Sequence, residues 1–417
     1  MVDFPPEIIE TFLAYLNEDS PERHTYLSGC CLVSRSWCCI AQPLLFSTVR
    51  MTRSRLGFTG AQASAKRGIQ TLLKTLEESP HIRKYIHTLC TDIDVPTGVS
   101  VTSLLRLLID LRRLRLIMPY PAPPTPFPQD FLSFIPGLFQ SERFISLSLT
   151  RLENFPVGLF AHCVALRELA LSCVTFSGLD APPPEKDRSH GPRPQLRSIV
   201  LFNVVQEEIK ILSWLIKPSS SFDLTKLTTF IAMDRSDSLS THRLVCEFVS
   251  FASNSLENLL IDQPTDAQSL GMLQVDGLVN LRSLTVWLLQ DVDESINLLP
   301  AILDILKRLP NPGGLQEVEL SCELSRLLGN QDEVSSSTSV LHSLGWSDFD
   351  SLLSSSAFHN LRSMKITAYD VDDISIGLQY LDLFTSTLPA LFEGDKLCVA
   401  ATTEDDYLSR QEQVWFA

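Results

Sequence analysis

Three sets of side chains in this sequence are of the types that do chemistry. They are the adjacent thiols Cys30-Cys31 and Cys38-Cys39, the carboxylates Asp370, Asp372 and Asp373, and the eight histidines. A nucleophilic thiol needs a neighbouring base to generate its thiolate, and Cys30 and Cys31 have no adjacent His or Asp. A calcium loop needs a twelve-residue frame with a central glycine and a terminal glutamate, and the aspartates after position 369 do not supply it. They read as a loop and helix-start cluster, where carboxylates suit the exposed N–H groups. No two histidines stand four residues apart, as a helical metal pair requires. The glycine frames that cradle phosphates and the strained-turn serine of hydrolases are also missing. The expected class is a binding protein: no enzyme, no cofactor, no metal. The ten cysteines contain no Cys-x-x-Cys and suggest neither a zinc frame nor a disulfide frame in a chain of 417 residues. They are expected to be small apolar residues in a reducing compartment.

The totals narrow the partners. With 44% hydrophobic and 20% charged residues, the chain should fold. A formal charge of -15 argues against a nucleic-acid binder. The charge is uneven, because from Arg23 to Lys74 there are Lys and Arg but no Asp or Glu. The N-terminus lacks a basic segment followed by an apolar core, and no uncharged apolar run reaches the roughly 18 residues of a membrane helix. The expectation is a soluble cytoplasmic and/or nuclear protein with no membrane partner.

The elements that would position a binding site begin in the first fifty residues. Pro5 and Pro6 suit a helix start, where the missing N–H costs nothing. Ile8, Ile9, Phe12, Leu13 and Leu16 then recur on one broad helical face. Leu32, Val33, Trp37, Ile40, Ala41, Leu44 and Leu45 carry helical spacing again. This is much apolar surface for so few residues, and part of it calls for a partner. The blocks Pro-Pro-Glu-Ile and Phe-Leu-x-x-Leu, then Leu-Val-Ser-Arg-x-Trp and Ala-x-Pro-Leu-Leu-Phe, resemble an F-box. The likeness covers residues 3 to 50, with Phe4 where that family usually has Leu. It implies docking on the adaptor of an SCF-type cullin ubiquitin ligase. By the resemblance, Pro5, Pro6, Ile8, Ile9, Leu13, Leu16, Leu32, Val33, Trp37 and Leu45 build or face that interface. The basic charge of this region suits an acidic adaptor equally as it suits a solvated face.

Beyond it the chain repeats. A strand at residues 47–51 and a connecting helix over residues 61–78 lead into the template apolar-x-x-apolar-x-apolar. Strong copies are Leu111/Leu114/Leu116, Phe144/Leu147/Leu149, Leu166/Leu169/Leu171, Leu196/Ile199/Leu201, Leu256/Leu259/Ile261, Leu281/Leu284/Val286, Leu315/Val318/Leu320 and Leu361/Met364/Ile366. Weaker ones are Ile86/Leu89/Thr91 and Leu227/Phe230/Ala232. Amphipathic helical stretches separate them, at 101–111, 207–216, 243–252, 295–309 and 376–391. The predicted fold class is an α/β repeat, a small helical domain followed by an irregular leucine-rich-repeat solenoid. The repeats resemble the irregular ones that follow fungal F-boxes. They lack the usual asparagine, whose position holds residues such as Leu152, Val174 and Tyr369, so uneven repeats are expected. The domain limits are 1–50 for the helical part, 51–80 for a connecting strand and helix, 81–400 for the solenoid and 401–417 for an acidic tail. The proline-rich stretch 119–128, the excursion 181–194 and the serine runs 219–221 and 335–339 read as loops.

Alternation along a strand places the x positions on the face opposite the core. That row runs from basic Arg113 and Arg115 through apolar Phe202, Met233, Leu260 and Trp287 to acidic Glu317 and Glu319. These eight residues are the candidates for binding a target protein on the inner face, with the apolar ones forming an exposed band. The resulting expectation is a non-catalytic substrate receptor that docks on the adaptor, and through it a cullin, and holds its target near a ubiquitin-loaded enzyme. Two alternatives share these features: a leucine-rich-repeat scaffold unconnected with ubiquitin ligation, and an enzyme on a doubly wound sheet.

Overall fold

The computed structural model describes residues 5–16, 23–51, 61–93, 98–118, 129–179, 193–204, 209–218, 220–234, 239–262, 271–288, 299–323, 345–369 and 382–402. It is α/β: twelve parallel strands alternate with helices and follow one another in chain order. The chain forms two units, residues 1–169 with 174–194, and residues 170–173 with 195–417. No described helix is long and apolar enough to cross a membrane. The aspartate cluster 370–373, the stretch 119–128 and the serines 335–339 lie outside the described residues, as does the tail beyond 402.

The first unit opens with three helices, α1 (Pro6–Leu16), α2 (Arg23–Cys31) and α3 (Arg35–Phe46). They are followed by β1 (Thr48–Met51), α4 (Ala61–Glu78), β2 (Thr88–Asp92), α5 (Gly98–Leu107), β3 (Arg113–Ile117), α6 (Gln129–Phe139) and β4 (Ser146–Thr150). β1 to β4 are parallel neighbours, with Leu89, Leu114 and Leu147 in one rank. A slip of one residue would turn every core leucine to the opposite face, so burial sets the register. The stretch 51–80, expected to be a connector, holds the helix of the first repeat. β1 pairs with β2 while α4 makes the crossover between them, which parallel pairing demands.

After β4 come β5 (Phe155–Pro156), β6 (Glu168–Ser172) and β7 (Phe176–Ser177). β5 and β7 pair beside the main strands, held by Phe155 N–H to Thr175 O and Thr175 N–H to Leu152 O, each 2.9 Å. Arg151 adopts φ 59°, a left-handed bend that swings the chain from the strand into this second pairing. Leu152 and Val174 are buried, so apolar packing occupies the positions where an asparagine ladder would run.

The second unit repeats the pattern in β8 (Ser198–Val204), α7 (Lys210–Ile216), β9 (Thr229–Asp234), α8 (Leu239–Ala252), β10 (Asn258–Asp262) and β11 (Ser283–Leu288). It continues through α9 (Leu299–Arg308), β12 (Glu317–Glu323), α10 (Trp346–Leu353), β13 (Ser363–Tyr369), α11 (Pro389–Glu393) and β14 (Leu397–Thr402). Ile199, Phe230, Leu259, Leu284, Val318, Met364 and Leu397 stand in one rank. The strands sit in chain order without the reversal that a doubly wound sheet requires. All residues of the eight strong template copies are buried.

A backbone device recurs at most of the described repeats. One carbonyl ahead of a strand accepts both the N–H before the next strand and that strand's first N–H. Arg197 O receives Thr228 and Thr229, Thr228 O receives Glu257 and Asn258, and Arg282 O receives Gln316 and Glu317. Asparagines reinforce the same turns: Asn280 Nδ2 donates to Asn254 O at 2.7 Å, Asn311 to Val279 O at 3.2 Å and Asn360 to Gly313 O at 2.6 Å. A ladder therefore exists, but before the strand rather than after it. The last described strand, β14, is not announced by the template, because Gly394 stands where the template has its first apolar residue. Buried Asp350 ties α11 down, accepting Ala390 N–H at 3.0 Å and Leu391 N–H at 2.9 Å. These fill two of the donor positions that every helix start leaves open.

Candidate functional site

Two surfaces come forward as candidates, and each is built by its own elements. The first is the three-helix N-terminus. α1 begins with Pro6 at its first helical position, and Ile8 and Ile9 both donate to Pro5 O at 3.0 and 3.2 Å. α3 is capped by Ser34, whose hydroxyl accepts Trp37 N–H at 3.4 Å. Arg23 at the head of α2 donates to Leu44 O at 3.2 Å and so fastens α2 to the end of α3. Ser47 Oγ closes the same carbonyl at 2.8 Å.

Packing then sorts the predicted adaptor residues into two groups. Ile9 and Leu13 are completely buried with Leu27, Cys30 and Ala41, and Trp37, Leu45, Leu44, Ile40 and Cys31 pack partly buried against them. These build the fold. Pro5, Pro6, Ile8, Leu32 and Val33 are exposed, Leu32 to 88% and Val33 to 55%. Leu16 ends α1, and its side chain lies outside the described residues. Phe12 and Tyr26, which were not among the candidates, are exposed as well. Phe12 follows Ile8 by four residues, so one helical face presents both. Its ring meets Trp37 edge-on, centroids 5.6 Å apart. The spacing of Ile8 and Phe12 was visible in the sequence; what it could not show is which stripe of the broad apolar face meets α2 and α3.

The second surface is the strand face opposite the core. In the first unit Arg113 is half-buried, with a guanidinium nitrogen 3.6 Å from Glu168 Oε1. Arg115 is buried in the same row, beside Ser148 in the β3–β4 register. In the second unit Met233, Leu260 and Trp287 are buried in one cluster, with Phe202 and Ile231 packed against it. The exposed apolar band expected here is therefore a closed one, and Trp287 keeps only 6% of its surface. In-register parallel strands about 4.8 Å apart bring large side chains of neighbouring repeats into contact. Each x position taken singly along the sequence carries no sign of this lateral closure.

Polar residues hold the far end of that row. Glu317 is exposed, and Glu319 Oε1 accepts from Lys365 Nζ at 2.6 Å and Thr367 Oγ1 at 2.9 Å. Much of the acidic character expected at Glu319 is thus offset by Lys365, its partner across β12 and β13.

Titratable groups elsewhere follow burial. The Cys163 thiol is pushed far above its ordinary range, and Cys246 up to about 11 by burial and then by Glu247. His87, at the turn before β2, is held below its usual value by burial and by Arg112 and Arg143. Among the described residues no three His, Cys, Asp or Glu side chains converge so as to hold a metal ion. Compared with known proteins, the chain matches no protein-family model and no curated protein.

Proposed function

We propose that the protein is a non-catalytic substrate receptor of an SCF-type cullin ubiquitin ligase. On this reading its three N-terminal helices form an F-box, and its parallel repeats form an irregular leucine-rich-repeat solenoid that binds a target protein. One observation carries the proposal: within the F-box-like motif, Ile9 and Leu13 close a small core while Pro5, Pro6, Ile8, Leu32 and Val33 stay exposed. A helical hairpin serving merely as a cap has no need of an exposed Leu32-Val33 pair at its turn, whereas a docking surface does. The mechanism is proximity, with the receptor raising the effective concentration of target near a ubiquitin-loaded enzyme.

The test is capture of the SCF adaptor by the intact protein. Wild type should bring it down, and the Pro6→Ala, Leu32→Asp double variant should lose capture by about tenfold or more, the usual scale for a central apolar anchor. Both substitutions are at exposed positions, so the thermal unfolding of the variant should match wild type. Equal capture by a folded variant and wild type would discard the receptor reading in favour of a scaffold without a ligase.

A further inference from the structure

β14 pairs with β13 on one side and, among the described residues, with no strand on the other. Its Leu397 and Val399 stand in the ranks of Met364 and Ile366. Those two are completely buried, whereas Leu397 and Val399 are only half-buried. Phe392, just ahead of the strand on α11, is 55% exposed. The apolar ranks of the second unit therefore reach β14 without closing there. The free edge is also unguarded: Leu397–Thr402 holds no charged residue and no proline, the usual means of keeping other strands away. A stack of repeats needs a covering element at such an end.

We propose that this end is a docking surface for the chain's own residues 403–417, which close over it as a capping helix. These residues lie outside the described ones, and their sequence and point of attachment carry the assignment. Thr403 is of N-cap type, and Glu404, Asp405 and Asp406 follow it in a first turn, where carboxylates suit the exposed N–H groups. Tyr407, Leu408, Val414 and Trp415 then recur at i, i+1, i+7 and i+8, on one apolar face. A helix over 404–416 is about 20 Å long, and the strand Leu397–Thr402 spans about the same length.

Consecutive helices of the second unit pack side by side, α7 with α8, α9 with α10 and α10 with α11. A helix after β14 takes the next place in that row, with its apolar face on Leu397, Val399 and Phe392. The segment starts directly after Thr402, so its effective concentration at this surface is about millimolar. A second copy of the chain at micromolar concentration competes poorly with that. The assignment does not depend on the receptor reading.

The experiment is limited trypsin digestion of the full-length protein, read at Arg410, the sole Lys or Arg after Lys396. Wild type should resist cleavage there, because a docked helix must open before the protease acts. Trp415→Asp and Phe392→Asp each remove one side of the contact, and each should speed the cut about tenfold. The double variant should add little to either, as two partners in one contact do. Amide exchange across β14 should quicken in Trp415→Asp while exchange across β12 stays unchanged, which shows that the repeats remain folded. Cleavage after Arg410 as fast in wild type as in the variants would overturn the proposal. So would light scattering that shows a dimer with β14 amides protected and Arg410 open, since a second copy then holds the surface.

Discussion

Burial decides how individual side chains react and titrate. Cys163 and Cys246 are buried thiols with raised pKa, whereas Cys39 and Cys398 are exposed. Since the thiolate is the nucleophile, iodoacetamide at pH 8 should label Cys39 and Cys398 well before Cys163 and Cys246 in the native protein. Peptide mass mapping over time reads the order, and early labelling of Cys246 would contradict its burial on α8. His87 supplies a pH dependence. Its Nδ1 lies 3.3 Å from Asp110 O, and burial with Arg112 and Arg143 nearby lowers its pKa from 6.5. The unfolded chain therefore takes up this proton first as the pH drops. His87 contributes stability that is complete above pH 6.5 and is lost as the pH falls through the lower folded value. Urea midpoints measured from pH 7.5 to 5 should fall less steeply for His87→Gln than for wild type. Parallel curves would refute the shift.

Among the elements, turns rather than strands were the hidden part. The strand template was readable because alternation is local, and its ranks align because each copy buries the same three positions. The asparagines that brace the turns stand at variable offsets before their strands, Asn280 and Asn360 next to Leu281 and Leu361 but Asn311 four residues before Leu315. No fixed spacing announces them. The last helix depends on a residue 40 positions away, since Asp350 caps α11 through Ala390 N–H. Asp350→Ala should cost about 2 to 3 kcal/mol, two charge-assisted hydrogen bonds and two orphaned N–H groups being at stake. Chemical denaturation should show the loss, and Asp350→Asn, which keeps one acceptor oxygen, should lose less. An unaltered midpoint for the alanine variant would mean the cap is replaced by water.

At the scale of the whole molecule, the two candidate surfaces differ in what a substitution would report. Leu32→Asp changes an exposed turn and should shift stability by no more than about 0.5 kcal/mol while removing the proposed adaptor contact. Trp287→Asp places a carboxylate in the closed cluster with Met233 and Leu260, and should destabilise by about 3 to 5 kcal/mol. Its loss of target binding would then report unfolding rather than a lost contact. Glu317, which is exposed, is the better probe of the row: Glu317→Lys should leave the unfolding midpoint in place. Differential scanning of the three variants separates the cases, and a Trp287→Asp protein as stable as wild type would reopen the apolar band as a free surface.

The sequence by itself determined the repeat, its core ranks and the helical N-terminus, because each rests on a periodicity of two or 3.6 residues that neighbours in the chain enforce. Tertiary structure alone decided two things. It put Ile9 in a core and left Ile8 in solvent, although both belong to one apolar stripe of α1. It closed Phe202, Met233, Leu260 and Trp287 upon one another. In each case the outcome depends on lateral contacts between elements, and a one-dimensional pattern carries which face is apolar but not what lies across from it.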